Sequence, residues 1–116
     1  MTSDTAMLIW ARNDRRILVC HDKHSDRHTK LELYPELHRG GGHIIEVGGD
    51  SSQLATLVLA KLLMHEQKWK RFFRRGNGIV RLLETGVEIR TAESLYSSIQ
   101  WRVKAKPTTK RKTNTD

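Results

Sequence analysis

The stretch from Asp50 to Gly76 constrains the fold most, because its pattern predicts one long helix with two different halves. The first half, Leu54 to Met64, is apolar on nearly every side and has Lys61 as its only charge. The second half, Gln67 to Arg75, places five cations among three aromatic residues. A helix that is apolar all round belongs in a core, whereas a basic amphipathic helix faces water or a polyanion. We therefore expect the first half to be buried and the second half to lie at the surface.

Both ends of this helix carry capping signals. Asp50 or Ser51 suits the amino end, because a side-chain oxygen there can accept from the unpaired amides of the first turn. Gly76 stands where a left-handed C-terminal cap is common, and the cations before it suit the negative end of the helix dipole. The sequence thus predicts one helix over about residues 51–75.

The remaining apolar runs predict short β-strands. Two continuous runs, Ala6–Ala11 and Ile17–Cys20, predict a hairpin across the polar residues between them. A strand over residues 31–33 would end at Pro35, which cannot donate to a β-ladder. Further strands are predicted at residues 44–47 and 99–103, and a second hairpin at residues 79–83 and 87–89.

Together these elements predict an α+β fold. Its sheet would be mostly antiparallel, with about six to seven short strands packed on the one long helix. A chain of 116 residues is expected to form one compact domain, which we place at residues 1–104. Residues 105–116 contain nothing to bury, so we predict a disordered basic tail there.

Cysteine content and hydropathy indicate the compartment. Cys20 is the only cysteine, so no internal disulfide can form, which fits a reducing environment. The chain does not begin with a signal-peptide pattern, and its longest apolar run is too short to span a bilayer. We expect a soluble cytoplasmic protein without a membrane partner.

The charge balance favours a polyanionic partner. Lys and Arg number 21 against 13 Asp and Glu, which gives a formal net charge of +8. Such a surplus raises affinity for nucleic acid or acidic surfaces, although it can also serve solubility alone. A flexible basic tail would add affinity without specificity. The candidate nucleic-acid-binding residues are Lys68, Lys70, Arg71, Arg74, Arg75, Arg102 and Lys104.

Three aromatic residues lie among the helix cations, but their spacing assigns them to the core. Trp69, Phe72 and Phe73 share one helical stripe with Val58 and Leu62. We therefore expect them to pack inside the protein and not to stack on bases. The five cations beside them, within eight residues, exceed what the helix dipole alone requires.

The loop from Cys20 to His28 contains an unusual mixture of side chains. Cys20, His24 and His28 are four residues apart, and zinc takes about four nitrogen or sulfur ligands in tetrahedral geometry. However, no C-x2-C pair anchors the loop, and a cysteine that ends a strand is often simply buried. We expect a polar loop, with neither a metal nor another cofactor.

Two histidines, His38 and His43, bracket Arg39 and three glycines. Histidines in this position could cleave RNA by acid–base catalysis, with the arginine stabilising the phosphorane. The glycines lead into a strand and not into a helix, so the loop differs from the phosphate loop of nucleotide-binding folds. We interpret it as a flexible turn and assign no catalytic residue.

Three functional hypotheses follow, in order of preference. The first is a small non-enzymatic protein that binds nucleic acid or a nucleoprotein complex through its cationic helix end. The second is a protein–protein inhibitor or adaptor, a class that is frequent among phage and mobile-element accessory factors of this size. The third is a ribonuclease that depends on His38 and His43. An open sheet edge would also allow two copies to pair as a homodimer.

Overall fold

The computed structural model describes residues 1–21, 26–48, 55–83 and 85–100. Within these residues lie five helices and one four-stranded sheet. The helices are α1 Ser3–Asn13, α2 Arg27–Gly40, α3 Ala55–Met64, α4 Glu66–Arg75 and α5 over residues 92–100. The strands are β1 Leu18–Cys20, β2 His43–Val47, β3 Gly78–Leu82 and β4 Val87–Thr91.

The sheet is mixed and has the order β1-β2-β3-β4. β1, β2 and β3 are parallel, so that Leu18 lies opposite Ile44, which lies opposite Ile79. β4 returns antiparallel to β3 and completes the predicted second hairpin. The α+β class is confirmed, but the prediction of six to seven mostly antiparallel strands on one long helix is wrong.

Two parallel connections step in the same direction across this sheet but cross opposite faces. α2 joins β1 to β2 and packs against the face that carries Ile44 and Ile79. α3 and α4 join β2 to β3 and pack against the face that carries Ile45 and Val80. Connections that step the same way on opposite faces have opposite hands, so one of the two is left-handed. Right-handed crossovers make up about 98% of such connections, so this topology is uncommon.

The first predicted strand, Ala6–Ala11, is part of helix α1. The hydroxyl oxygen of Thr2 accepts from the backbone N–H of Thr5 at 3.2 Å and caps the helix. Thr5, Leu8 and Ala11 recur three residues apart and are buried on one side. The strand prediction is wrong because a six-residue apolar run does not distinguish a helix from a strand.

The strand predicted at residues 31–33 is part of helix α2. Asp26 caps this helix by accepting from the backbone N–H of Thr29 at 3.0 Å. Pro35 lies inside the helix and deprives it of one backbone donor, yet the helix continues to Gly40. Burial compensates for that loss, since the inner side of α2 carries Leu33, Tyr34 and Leu37.

The predicted single helix over residues 51–75 is two helices that meet at His65. The backbone of His65 is non-helical, with φ −107° and ψ 14°, although hydrogen bonds continue across it. Gly76 is extended at φ −166°, so the predicted left-handed cap is wrong. The predicted caps at Asp50 and Ser51 lie outside the described residues.

The two faces of the sheet carry separate cores. The first core lies between the sheet and helices α1, α2 and α5, and contains Leu8, Leu33, Tyr34, Leu37, Ile44, Ile79, Ala92, Leu95 and Ile99. The second lies between the sheet and helices α3 and α4, and contains Ile45, Val47, Phe73, Val80 and Leu82. Continuous apolar strands are typical of a sheet that is covered on both faces.

An ionic row interrupts the first face of the sheet. Glu46 is only 3% exposed and accepts from Nε and Nη2 of Arg81 at 3.1 and 2.9 Å. Arg81 also lies 3.8 Å from Glu88 on the neighbouring strand. Burial raises the pKa of the nearby Tyr34, and the charge of Arg90 only partly opposes it. The charge of the buried Glu46 carboxylate is balanced by the guanidinium group of Arg81.

The end of the chain lies outside the described residues. This includes Arg102, Lys104 and the tail predicted at residues 105–116. Residues 99–100 of the last predicted strand are helical and end the described part of α5, while residues 101–103 are not described. The single-domain boundary at residue 104 stays a prediction.

Candidate nucleic-acid interface

The inner side of α4 anchors this helix in the second core. Phe73 is buried, while Trp69 and Phe72 are half-buried against the same cluster. The indole Nε1 of Trp69 donates to the backbone carbonyl of Leu62 at 2.9 Å and ties α4 to α3. The prediction that these aromatic residues pack in the core is confirmed.

The outer side of α4 forms what we call the cationic arc, which consists of Lys68, Lys70, Arg71, Arg74 and Arg75. All five side chains are exposed. At about 100° per residue they cover about 160° of the helix circumference, opposite the buried aromatic residues. The structure therefore brings five of the seven predicted site residues onto one continuous helix face.

Most of the cationic arc is not neutralised within the described part of the chain. Lys70 pairs with Glu66 one turn earlier and lies 5.8 Å from the centre of the Trp69 ring. The other four cations have no carboxylate partner among the described residues. A groove of about 570 Å³ is lined by Lys70, Arg71 and Arg74, together with Glu66 and Gln67. The arc thus presents concentrated positive charge on a well-anchored support.

A second cationic region adjoins the end of α4. A cavity of about 370 Å³ is lined by Arg75, Asn77 and His38, with Glu93 at its wall. Asn77 also lines a neighbouring cavity of about 250 Å³, which we call the arginine cavity. Its lining residues are Arg12, Arg15, Arg16, Gly40, Gly42, His43 and Asn77. The shared Asn77 therefore places the arginine cavity next to the end of α4.

Sequence reasoning missed Arg12, Arg15 and Arg16. The available signal was three arginines within five residues, with Asp14 as the only acid among them. The apolar run Ala6–Ala11 predicts a strand, which makes this segment a hairpin turn. As the end of helix α1, the same segment instead lies beside Gly40 at the end of α2 and Asn77 beyond the end of α4.

The histidines of the ribonuclease hypothesis line different cavities. His38 stacks on Tyr96 with ring centres 4.3 Å apart, and His43 stacks on Phe73 at 4.4 Å. Burial lowers the pKa of His43, and a hydrogen bond to the backbone of Gly76 only partly offsets this. Arg39 pairs with Glu36. Both histidines are thus held by ring stacking, and the ribonuclease hypothesis stays untested.

The metal hypothesis concerned Cys20, His24 and His28. The thiol of Cys20 is half-buried and lies 3.7 Å from the backbone carbonyl of Ile45, to which it donates. His28 is exposed in the first turn of α2, and His24 lies outside the described residues. Among the residues that the structure describes, no group of three His, Cys, Asp or Glu side chains is placed to hold a metal ion.

Comparisons with protein-family models, with curated proteins and with solved structures found no match. Within the described ranges, none of the helices has the length and apolar character needed to cross a membrane. Functional inference therefore rests on the geometry and charge of the chain itself.

Proposed function

We propose that this protein binds nucleic acid, or a nucleoprotein complex, through the cationic arc of α4. The observation that supports this is the placement of five exposed cations on one side of a helix whose other side is anchored in a core. Four of the five lack a carboxylate partner among the described residues. Unpaired Lys and Arg side chains bind phosphates and release the counterions condensed on nucleic acid.

The dimensions of the arc suit a phosphate backbone. Lys68 and Arg75 are seven residues apart, which is about 10 Å along a helix axis. One strand of B-DNA advances about 3.4 Å per nucleotide, so this length matches about three nucleotides. The core residues of α4 face away from this contact. Binding through phosphates alone would depend strongly on salt and weakly on sequence.

A salt titration of binding tests the proposal. Fluorescence anisotropy with labelled random-sequence DNA and RNA should give a linear dependence of log affinity on log salt. Replacement of Arg71, Arg74 and Arg75 by Gln should make the DNA slope shallower by about 2 to 3, because each duplex-phosphate contact contributes about 0.9. Affinity at low salt should fall about ten- to a hundredfold.

A charge control separates this contact from general attraction. Arg27 and Lys30 lie in the first turn of α2, at the opposite end of the sheet from the last turn of α4. Replacing both by Gln removes charge without touching the cationic arc. The proposal would be contradicted if the salt slope changed as much per removed charge in this control as in the variant of Arg71, Arg74 and Arg75. Absence of binding by the wild-type protein at low salt would also contradict it.

One observation favours the second hypothesis, a protein partner. The outer side of α3 carries an exposed apolar patch that consists of Leu57, Leu59, Leu63 and Met64, with exposed fractions of 49, 55, 61 and 72%. Contiguous apolar patches on soluble proteins mark interaction sites when they exceed a few hundred Å². Such a patch cannot bind phosphate, so it would serve an inhibitor or adaptor.

Two variants distinguish the hypotheses in a nuclease-treated co-purification. Replacing Leu59 and Leu63 by Glu should remove a protein partner that docks on α3. Replacing Arg71, Arg74 and Arg75 by Gln should leave such a partner bound. Loss of the partner only in the arginine variant would show that the charged surface, and not the apolar patch, makes the contact.

A further inference from the structure

Three helices end around the arginine cavity. α1 ends at Asn13, α2 at Gly40 and α4 at Arg75, and the segments after each of them reach the cavity wall. The cavity encloses about 250 Å³. It is a small recess, with less than half the volume of the groove along the cationic arc.

Arg12 is fixed in the wall of this recess. Its Nη1 donates to Oε2 of Glu36 at 2.9 Å and to the backbone carbonyl of Gly41 at 3.3 Å. A Cβ atom at Gly40 would lie 2.1 Å from Nη1 of Arg12, so a side chain at position 40 would displace the guanidinium from this place. Glu36 also pairs with Arg39, so its carboxylate is shared by two guanidinium groups. Although burial alone would raise the pKa of Glu36, these bonds hold it below its ordinary value.

Arg15 and Arg16 follow the end of α1 in an ordered turn. The N–H of Arg15 donates to the carbonyl of Arg12 at 3.0 Å, and that of Arg16 to Ala11 at 2.8 Å. Arg15 adopts a left-handed backbone with φ 56°, the only non-glycine residue with positive φ in the described chain. Arg16 pairs with Asp14, whereas Arg15 has no carboxylate partner among the described residues.

The opposite wall supplies neutral polar groups. The N–H of Gly42 donates to Oδ1 of Asn77 at 3.0 Å, which fixes the side-chain amide in place. The pKa of His43 is lowered by burial, so its imidazole is neutral at pH 7 and adds polarity without charge. The acids at or behind the cavity, Asp14 and Glu36, are each bonded to arginine. The three arginines that line the recess exceed these two carboxylates, and Glu36 is shared with a fourth arginine, Arg39. The recess therefore has surplus positive charge.

Compensation of helix dipoles does not explain this surplus. The carboxyl ends of α1, α2 and α4 are already met by cations in their last turns, namely Arg12, Arg39 and Arg75. Arg15 and Arg16 lie beyond the last turn of α1 and are additional. Two further guanidinium groups at the mouth of a recess are typical of phosphate recognition.

We propose that the arginine cavity binds the terminal phosphate of a nucleic-acid strand whose backbone lies along the cationic arc. This inference rests on the proposed function. A terminal phosphate monoester carries more charge and more free oxygens than an internal diester, so it can accept more hydrogen bonds from a cluster of guanidinium groups. Asn77 and Arg75 connect the two regions, because Arg75 belongs to the arc and Asn77 lines the cavity.

Competition binding with short oligonucleotides tests the proposal. Three versions of one single-stranded 12-mer are compared, with a 5′-phosphate, with a 3′-phosphate, and with hydroxyl groups at both ends. One phosphorylated version should bind the wild-type protein about five- to tenfold more tightly than the hydroxyl version, since a terminal phosphate gains charge-assisted hydrogen bonds. The identity of that version tells which strand end enters the cavity.

Variants assign this preference to the cavity. Replacing Arg15 and Arg16 by Gln should abolish the preference and leave hydroxyl-ended binding within about twofold. Arg15→Gly with Arg16→Gln provides a second variant, because glycine accepts the left-handed backbone at position 15. The arc variant of Arg71, Arg74 and Arg75 should instead weaken all three oligonucleotides alike.

The outcomes separate the two proposals. Equal binding of all three oligonucleotides would overturn the cavity proposal and leave the proposed function standing. A preference that survives loss of Arg15 and Arg16 would also overturn it. If no oligonucleotide binds at low salt, the proposed function fails, and the cavity proposal fails with it.

Discussion

Helices α3 and α4 have the same length but opposite relations to the core. α3 consists almost entirely of apolar residues, yet none of its ten residues is buried. α4 is strongly charged, yet it places Phe73 in the second core. Only Val58 and Leu62 of α3 pack against that core, from partly buried positions. The amino-acid composition of a helix therefore does not decide how many of its side chains are buried, because burial also depends on how the whole helix is placed over the sheet.

This difference gives the two helices different outer surfaces. α4 is held by aromatic side chains that point inward, so its cations are presented at fixed positions. α3 is held more lightly, by two aliphatic residues, by the bond from Trp69 and by Lys61, whose Nζ donates to the carbonyl of Gly48 at 3.1 Å. Its outer side remains available to an apolar partner. Adjoining helices thus expose one charged surface and one apolar surface.

Removal of the aromatic anchor should have the largest effect. Phe73→Ala should lower the free energy of unfolding by about 3 kcal/mol, because it deletes a buried ring and leaves a cavity. Leu63→Ala on α3 should change it by less than about 0.5 kcal/mol, since that side chain is exposed. Urea unfolding measures both values. Similar losses in the two variants would mean that α3 is as tightly packed as α4.

A smaller effect is expected for the bond between the two helices. Trp69→Phe keeps an aromatic ring but removes the donor to the carbonyl of Leu62, which should cost about 1 kcal/mol. Hydrogen exchange should show that amides of α3 lose more protection than those of α4, because α3 has fewer other contacts. Trp10→Phe, at an exposed position of α1, is the matched control. Uniform loss of protection across both helices would contradict the proposed difference in anchoring.

The smallest effect concerns pH. Burial lowers the pKa of His43, so the unfolded chain takes up the proton first as the pH falls. The contribution of His43 is complete above about pH 6.5, its unfolded value, and is lost as the pH falls through the folded pKa. The free energy of unfolding should therefore decrease between about pH 7.5 and 5.5.

His43→Phe isolates this dependence. Phenylalanine can retain the stacking on Phe73 but does not titrate, so unfolding free energy should vary less over the same pH interval. His38→Phe, at the stack with Tyr96, serves as the comparison. A wild-type stability that rises as the pH falls would contradict the assignment.

Local patterns predicted some elements and failed for others. β2, β3 and β4 were predicted because each is a compact run of β-favouring residues beside turn residues. The aromatic stripe of α4 was predicted because three- and four-residue spacing is a direct property of a helix. The α1 segment was not, because Ala6–Ala11 satisfies both periodicities at that length.

The parallel pairing of β1 with β2 was not predicted, because the segment between these strands was not predicted as a helix. A parallel connection requires a crossover of about a dozen residues or more, usually a helix. Pro35 led to a prediction of strand and loop for the segment that forms α2, so no helix was left to connect β1 with β2. The arginine cavity was missed because it lies where the ends of α1, α2 and α4 converge, and the segments that form α1 and α2 were predicted as strands.

The crossing of the chain from one face of the sheet to the other has a consequence for how this architecture can vary. No residue of α3 or α4 belongs to the first core, and the described residues that build it come from α1, α2, α5 and the strands. The segment between β2 and β3 could be exchanged for another helical pair of similar reach while that core kept its composition. The protein therefore combines one core that does not depend on α3 or α4 with one continuous segment that carries both the cationic arc and the exposed apolar patch.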